Sequence, residues 1–425
     1  MHNKTSMIAL TTTAIAAAFT AQSAQAETFS LKPSIDARLR YENVDQPTTD
    51  ADAVTMRMRP GITLSTKSGF SALVEAEATL AIDDGYTAFP GTFTPASIGF
   101  SHQRRAGYSV VSDPENIELN RAQIQYKTKT FTLTGGRQRI NLDDQRFVGS
   151  VGWRQNEQTF DAVRAEATLG PISLDGTYSW SQRTIFGVDA GSRQAYSGGF
   201  VFLGAGASLG PVKLKAFSYL LDFDAKEPVK ATSTQTYGAR ATSTFKLSPK
   251  ASLNLMASYA RQYDYELNPG DYSVDYIAAE AGLSYDIWTL TAGYELLGGD
   301  ITPKGRVAFQ TPMATLHKFN GWADLFLNTP TSATGTGLED IYAGVAVKPK
   351  VKSLAGLNAA VVWHSFKSDV GNFKYGQEWD AQIGFKPTKS LTLLAKYADY
   401  DAKGFLKFPG DVDTSKFWLQ LEYAL

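Results

Sequence analysis

Arginine and carboxylate side chains recur at every second position of several segments of this chain, and that phase is the first clue to its chemistry. Arg38 and Arg40 flank Leu39, Arg57 and Arg59 flank Met58, and Glu75 and Glu77 flank Ala76. Arg121, Arg164 and Arg240 fall on polar phases in the same way, and Arg137, Arg139, Arg146 and Arg154 cluster around one connection. A guanidinium stays charged and presents its donors in a fixed fork, which suits carboxylate and other oxyanion groups on a solute. The same fork also pairs with carboxylates of its own wall, for which Glu42, Glu75, Glu77, Glu166, Glu280, Glu295, Glu378 and Asp380 are available. Both uses are expected. Arg38, Arg40, Arg57, Arg59, Arg121, Arg137, Arg139, Arg154, Arg164 and Arg240, with Glu75, Glu77 and Glu295, are the expected lining of a solute path.

Enzymatic chemistry finds little material. Cysteine is absent, which excludes disulfides, thiolate zinc sites and cysteine nucleophiles. The four histidines, His2, His102, His317 and His364, form no pair with zinc-ligand spacing. There is no G-x-S-x-G elbow, phosphate-binding glycine loop or calcium-loop pattern. No catalytic residue, metal or cofactor is therefore assigned, and His364 reads as a packed or hydrogen-bonded strand histidine.

Charges at alternate positions, with apolar residues between them, require strands that are wet on one face and greasy on the other. Ile35, Ala37, Leu39 and Tyr41 alternate with Asp36, Arg38, Arg40 and Glu42, and Leu419, Leu421, Tyr423 and Leu425 alternate with Trp418, Gln420, Glu422 and Ala424. The first three such segments centre on residues 35–42, 56–64 and 70–80. The next lie near 117–127, 130–140, 159–169, 172–183, 195–209, 212–222, 235–247, 251–265, 274–286 and 287–299. The last lie near 338–348, 355–366, 374–386, 391–402 and 414–425. That makes about eighteen strands. Very short turns such as Gly170-Pro171 and Gly210-Pro211 alternate with long connections at 83–116, 141–158, 184–194, 223–234, 300–337 and 403–413. An even number of strands joined by short and long connections in turn describes an all-β, antiparallel, up-and-down transmembrane barrel. Tyrosine, phenylalanine and tryptophan near strand ends, among them Tyr41, Tyr126, Phe131, Tyr259, Tyr285, Trp288 and Trp379, suit the two interfacial girdles of such a barrel.

Composition agrees. Hydrophobic residues make up 43% of the chain, yet outside the N-terminus no uninterrupted apolar run is long enough for a membrane helix. A formal net charge of −1 argues against a nucleic-acid binder, which needs a basic excess. Lys4, the apolar stretch Met7 to Phe19 and the Ala24-Gln25-Ala26 site before Glu27 read as a secretory signal peptide over residues 1–26. Residues 27–425 are then a single barrel domain.

Two patches carry a family resemblance. Gly136-Arg137-Gln138-Arg139-Ile140-Asn141-Leu142-Asp143-Asp144-Gln145-Arg146-Phe147-Val148-Gly149 and Gly152-Trp153-Arg154-Gln155-Asn156-Glu157-Gln158-Thr159-Phe160-Asp161-Ala162 resemble the signature of the alginate-export family of proteobacterial outer-membrane proteins. Arg38-Leu39-Arg40-Tyr41-Glu42 and the Thr311 to Asp324 segment are similar to further patches of that family. The resemblance implies a monomeric barrel of about eighteen strands with an electropositive constriction. It also implies outer-membrane lipid and the barrel-assembly machinery as partners. Leu425 stands where an aromatic residue is typical of barrel endings. The leading expectation is a porin-like channel for polar solutes, anionic or carbohydrate in class. The alternatives are a dedicated exporter of an anionic polysaccharide such as alginate, and a plugged structural or enzymatic barrel. The 300–337 connection, with its mixed Thr311 to Asp324 stretch, is expected to fold into the lumen, to form an external lid or to be a simple surface loop.

Overall fold

The alternation of the sequence becomes a closed cylinder in the computed structural model, which describes residues 29–90, 102–302, 305–327, 335–404 and 412–425. The expected signal peptide lies outside the described residues, as do parts of the connections 83–116, 300–337 and 403–413. In chain order the strands are β1 (Phe29–Asp45), β2 (Asp50–Thr66), β3 (Phe70–Gly85), β4 (Asn116–Lys127), β5 (Phe131–Gln138), β6 (Thr159–Leu169) and β7 (Ile172–Arg183). β8 (Ala195–Leu209), β9 (Val212–Phe223), β10 (Thr234–Ser248), β11 (Ala251–Asp264), β12 (Ser273–Tyr285) and β13 (Trp288–Leu297) follow. A small hairpin, β14 (Gly299–Thr302) and β15 (Gly305–Ala308), precedes β16 (Leu338–Val347), β17 (Leu357–Lys367), β18 (Lys374–Phe385), β19 (Leu391–Ala402) and β20 (Thr414–Ala424). All but β14 and β15 belong to one 18-stranded sheet.

Each barrel strand pairs antiparallel with its neighbours in sequence, and β20 returns to pair with β1, with Leu39 opposite Leu421 and Tyr41 opposite Leu419. No edge is left, which is the condition for a sheet in hydrocarbon, where an unpaired backbone group costs several kcal/mol. The eighteen sequence segments all coincide with barrel strands. The β14–β15 hairpin inside the 300–337 connection was not anticipated, because four-residue strands fall below what alternation can reveal.

The two faces are inverted relative to a soluble protein. Leu39, Val163, Tyr178, Leu203, Tyr259, Leu290, Ile341 and Trp379 are exposed on the outer wall, whereas Arg40, Glu42, Arg57, Glu77, Glu378 and Asp380 are buried within. Exposed leucine opposite buried glutamate is stable only where lipid lies outside and polar contacts lie inside. Phe70 and Tyr126 pack at 4.6 Å near the short-turn end and Tyr41 meets Phe417 edge-on near the other, as expected of girdle residues.

A local irregularity has a purpose. The β3–β4 register shifts between Glu75 and Ala76, leaving Asn120 as an extra residue. Such a bulge turns two consecutive side chains inward. Asn120 and Arg121 both reach Glu75 as a result, at 2.9 Å and 2.6 Å.

The lipid-facing wall predicts a sharp asymmetry. Leu203→Arg, on the outer face near the middle of β8, is expected to destabilise the barrel by about 2–4 kcal/mol, and Gln123→Arg, facing the lumen from β4, by less than about 1 kcal/mol. Urea unfolding in liposomes measures both.

Candidate functional site: a loop-filled, arginine-lined lumen

Two long connections turn inward instead of outward. The segment 139–158, between β5 and β6, and the segment 309–327, between β15 and β16, meet inside the barrel and join as one body. Val148 bridges to Met313, the Gly149 N–H donates to the Met313 carbonyl at 2.9 Å, and the Thr315 N–H donates to the Gln145 carbonyl at 3.0 Å. Gln158 Nε2 donates to the Met313 carbonyl at 2.9 Å. The Thr311 to Asp324 stretch is thus ordered and inside the lumen, which decides among the expectations for it.

On one side this body packs against an apolar inner wall. Phe147 lies 5.2 Å from Phe217, 5.8 Å from Tyr219 and 5.1 Å from Tyr276, ring centre to ring centre. These inward aromatics of β9 and β12 form a dry core inside the barrel. Alternation alone did not show it, because it lies on the face expected to be wet.

On the other side the arginines hold the body by its backbone. Arg38 donates to the carbonyls of Gly152, Trp153 and Arg154 at 3.1, 2.8 and 3.1 Å. Arg40 reaches the Trp153 carbonyl at 2.6 Å, and Arg59 the Gln155 carbonyl at 2.9 Å. Loop carbonyls have no ladder partner, and buried ones must find donors elsewhere. Fixed forks on β1 and β2 supply them.

Charges are matched as they are buried. Arg59 pairs with Glu77 and, at 3.3 Å, with Glu157, while Arg139 binds Glu157 at 2.6 Å. Arg154 binds Glu42 at 3.0 Å and Asp324 at 2.9 Å. Asp113, from the connection after β3, accepts Arg40 at 3.4 Å and the Gln155 N–H at 2.8 Å. Arg146 binds Glu295 at 2.8 Å, and Asn320 completes that contact by donating to Glu295 at 2.7 Å. Arg121 is bound to Glu75, Arg137 to Asp161, Arg164 to Glu166 and Arg240 to Asp144. Glu378 and Asp380 accept the N–H groups of Ala323 and Trp322 at 2.7 and 3.2 Å. Gly321, at φ +81°, allows that approach, since a Cβ there would collide with the Glu378 carboxylate.

Arg57 has the most donors left over, two against the single Nε of Arg164. Its Nη2 donates to Asp36, but its Nε and Nη1 are buried without a hydrogen-bond partner among the described residues. It lies directly across from Arg38 in the β1–β2 register, with Arg59 two positions away.

A chain of polar contacts that the sequence did not expose ties both inward loops to the wall. Lys396 on β19 donates from Nζ to His317 Nε2 at 2.8 Å, and His317 Nδ1 meets Asp324 at 2.7 Å. An ammonium only donates, so Nε2 is the acceptor and Nδ1 carries the hydrogen. Trp153 stacks on His317 at 4.3 Å, and the ammonium lies 4.2 Å from Trp153 and 3.7 Å from Trp322. A lysine in the lumen phase of β19 was the available signal. The remaining histidines have ordinary roles: His364 bonds to Asp340 at 3.0 Å and His102 lies exposed near Glu115.

Burial opposes ionisation of Glu157, but the Arg59 and Arg139 guanidiniums outweigh it and hold the carboxyl at about 2. Asp324 is likewise held below the usual carboxylate range, burial being outweighed by His317, Lys416 and Arg154. Burial, seconded by Lys396, keeps His317 well below the usual imidazole value.

Among the described residues, then, an 18-stranded closed barrel surrounds a charge-matched, loop-filled lumen, and the class it defines is the bacterial outer-membrane β-barrel. The chain belongs to the alginate export family, whose model matches residues 30–311. No curated protein matches the sequence. OccAB2 of Acinetobacter baumannii is similar in structure with a TM-score of 0.69 at 14% identity, covering 94% of this chain and 99% of that one. OpdK of Pseudomonas aeruginosa, solved with vanillate, gives 0.67 at 12% identity, covering 93% and 98%. OpdO of Pseudomonas aeruginosa gives 0.67 at 14% identity, covering 93% and 97%. At these identities the likeness is one of fold.

Two outcomes follow. Arg59→Ala strands the buried Glu77 carboxylate and leaves Glu157 with Arg139 alone, and is expected to cost about 3–5 kcal/mol, with faster tryptic cleavage within 139–158. Acid should loosen both loops. Folded-state values of Glu157 and His317 lie below their free values, so a detached loop takes up protons more readily. Retention therefore weakens as pH falls through about 6.5 for His317. For Glu157 it weakens from about 4.5 down to about 2. Fluorescence of the buried tryptophans during acid titration reads this directly, and a signal flat from neutral pH to the acid limit would contradict it.

Proposed function

We propose that this protein is a diffusion channel for small polar solutes, anionic or carbohydrate in class, whose path runs past the arginines of β1 and β2. The observation that carries the reading is Arg57, a lumen-facing guanidinium with two uncommitted donors beside Arg38 and Arg59. A carboxylate in transit would satisfy one of them with a charge-assisted hydrogen bond, since Nε and Nη1 lie on different edges of the guanidinium. OpdK, a barrel of the same fold, is solved with vanillate, a small carboxylate, which supports a small solute over a polymer. Residues 1–26 serve in this reading as the export signal, and the barrel acts as a monomer without a cofactor.

A second reading has its own observation. The hydrogen bonds that join 139–158 to 309–327, and both to the wall, favour a barrel closed by its loops.

Flux decides between them. Proteoliposomes should release small carboxylates and sugars, and Arg57→Gln should slow carboxylates by about tenfold, one charge-assisted hydrogen bond, while leaving neutral sugars unchanged. Equal slowing of both would remove Arg57 from the path, and no release of either solute would establish the closed barrel.

A further inference from the structure

A net charge of −1 conceals a separation of charge along the barrel axis. Short turns of such barrels face the periplasm and long loops face outward. At the short-turn end Lys127 and Lys213 close the lumen-facing series of β4 and β9, and Lys32 and Lys246 stand one lumen-facing position before Ser30 and Ser248, which close those of β1 and β10. Lys348 and Lys386 continue the lumen-facing phase just beyond β16 and β18, where their N–H groups still extend the ladder to Ile287 and Gly356. All six are exposed. The other strands end their lumen-facing series at this rim on Ser, Thr, Asn or Ala.

None of the six makes an ion pair among the described residues, in contrast to the arginines deeper in the lumen. The turns add Lys67, Lys129, Lys250, Lys350, Lys352 and Lys389, all exposed, against Asp286, which is bound to Lys350 at 2.5 Å. The opposite end is acidic on balance: Asp50, Asp83, Asp224, Glu266, Asp399 and Asp413 are exposed there, against Arg104, Lys226, Lys230, Lys374 and Lys403.

The geometry points to this lysine rim as the principal determinant of charge selectivity, an electrostatic funnel that concentrates carboxylates and other oxyanions at the periplasmic mouth. The inference rests on the channel reading above and relocates its selectivity. Guanidiniums bonded to carboxylates present little net charge to a passing ion, whereas unpaired ammoniums around an opening focus their field into it. Lysine suits the task, being a hydrated point charge that attracts without the directional grip of a guanidinium. The lumen phase of the six favours a dissolved anion over lipid headgroups, which lie against the outer wall.

Range distinguishes rim from constriction. Exposed charges act over about 10 Å at 0.1 M salt and about 3 Å at 1 M, while charges inside a narrow lumen are screened much less. The test is the reversal potential of single channels under a KCl gradient, in wild type, Arg57→Gln, and a variant with all six rim lysines changed to Gln. Wild type should favour chloride when the dilute solution, near 0.1 M, bathes the turn side, with the anion-to-cation permeability ratio falling at least about threefold near 1 M. The six-lysine variant should lose that preference in dilute salt and match wild type in concentrated salt, and Arg57→Gln should keep the salt dependence. These lysines make no ion pair, so folding is expected to survive and is checked by heat-modifiable gel mobility.

Selectivity unchanged in the six-lysine variant, or equal with dilute salt on either side, would overturn the rim assignment and leave the channel standing. A folded wild type without conductance would overturn both.

Discussion

Hydrocarbon offers no partner to a peptide group, and that constraint governs this molecule more than any single contact. Eighteen strands satisfy it by pairing in sequence order and joining β20 to β1. Closure fixes which face of every strand meets lipid, so one phase of the sequence becomes Leu39, Val163 and Leu203 on the outside and the other becomes Arg40, Glu77 and Asp380 within. The interior must then solve a second problem, because a cylinder of this size leaves a wide lumen. The chain fills the outer part of it with its own loops.

Those loops bring unpaired carbonyls and amides into the barrel, and the wall answers each sign with its opposite. Arginines on β1 and β2 take the carbonyls of 152–155, and carboxylates on β18 take the amides of Trp322 and Ala323. Breaking one partner of such a buried set is costly because the other is left without solvent. The polar lining is therefore first a scaffold for the constriction. Arg57 stands apart because its donors are not used up.

Much of the architecture was legible in the sequence, because period-two alternation and the rhythm of short and long connections are one-dimensional records of a barrel. Strand ends shifted by a few residues and the β14–β15 hairpin was missed, since four residues carry too little pattern. The arginine and carboxylate set was found as a set, but its pairings were not. Glu42 reaches Arg154 across 112 positions of sequence, and Arg146 reaches Glu295 across 149. Nor did alternation reveal the Lys396–His317–Asp324 chain or the aromatic core around Phe147, which arise only when two distant loops meet inside the cylinder. The lysines of the turns were visible residue by residue, but their common end of the barrel emerges only once each strand has a direction.

Arg38 has one further implication, for assembly. It holds Glu422 of the last strand with one edge of its guanidinium and the carbonyls of residues 152–154 with the other. The inward loop thus rests across the seam where the first and last strands meet, the joint that cannot form until the whole chain has been laid down. Docking of the loop and zipping of that joint strengthen one another, so a barrel still open at its seam lacks a fully seated constriction, and loss of the loop's grip weakens the sheet at its one non-sequential pairing.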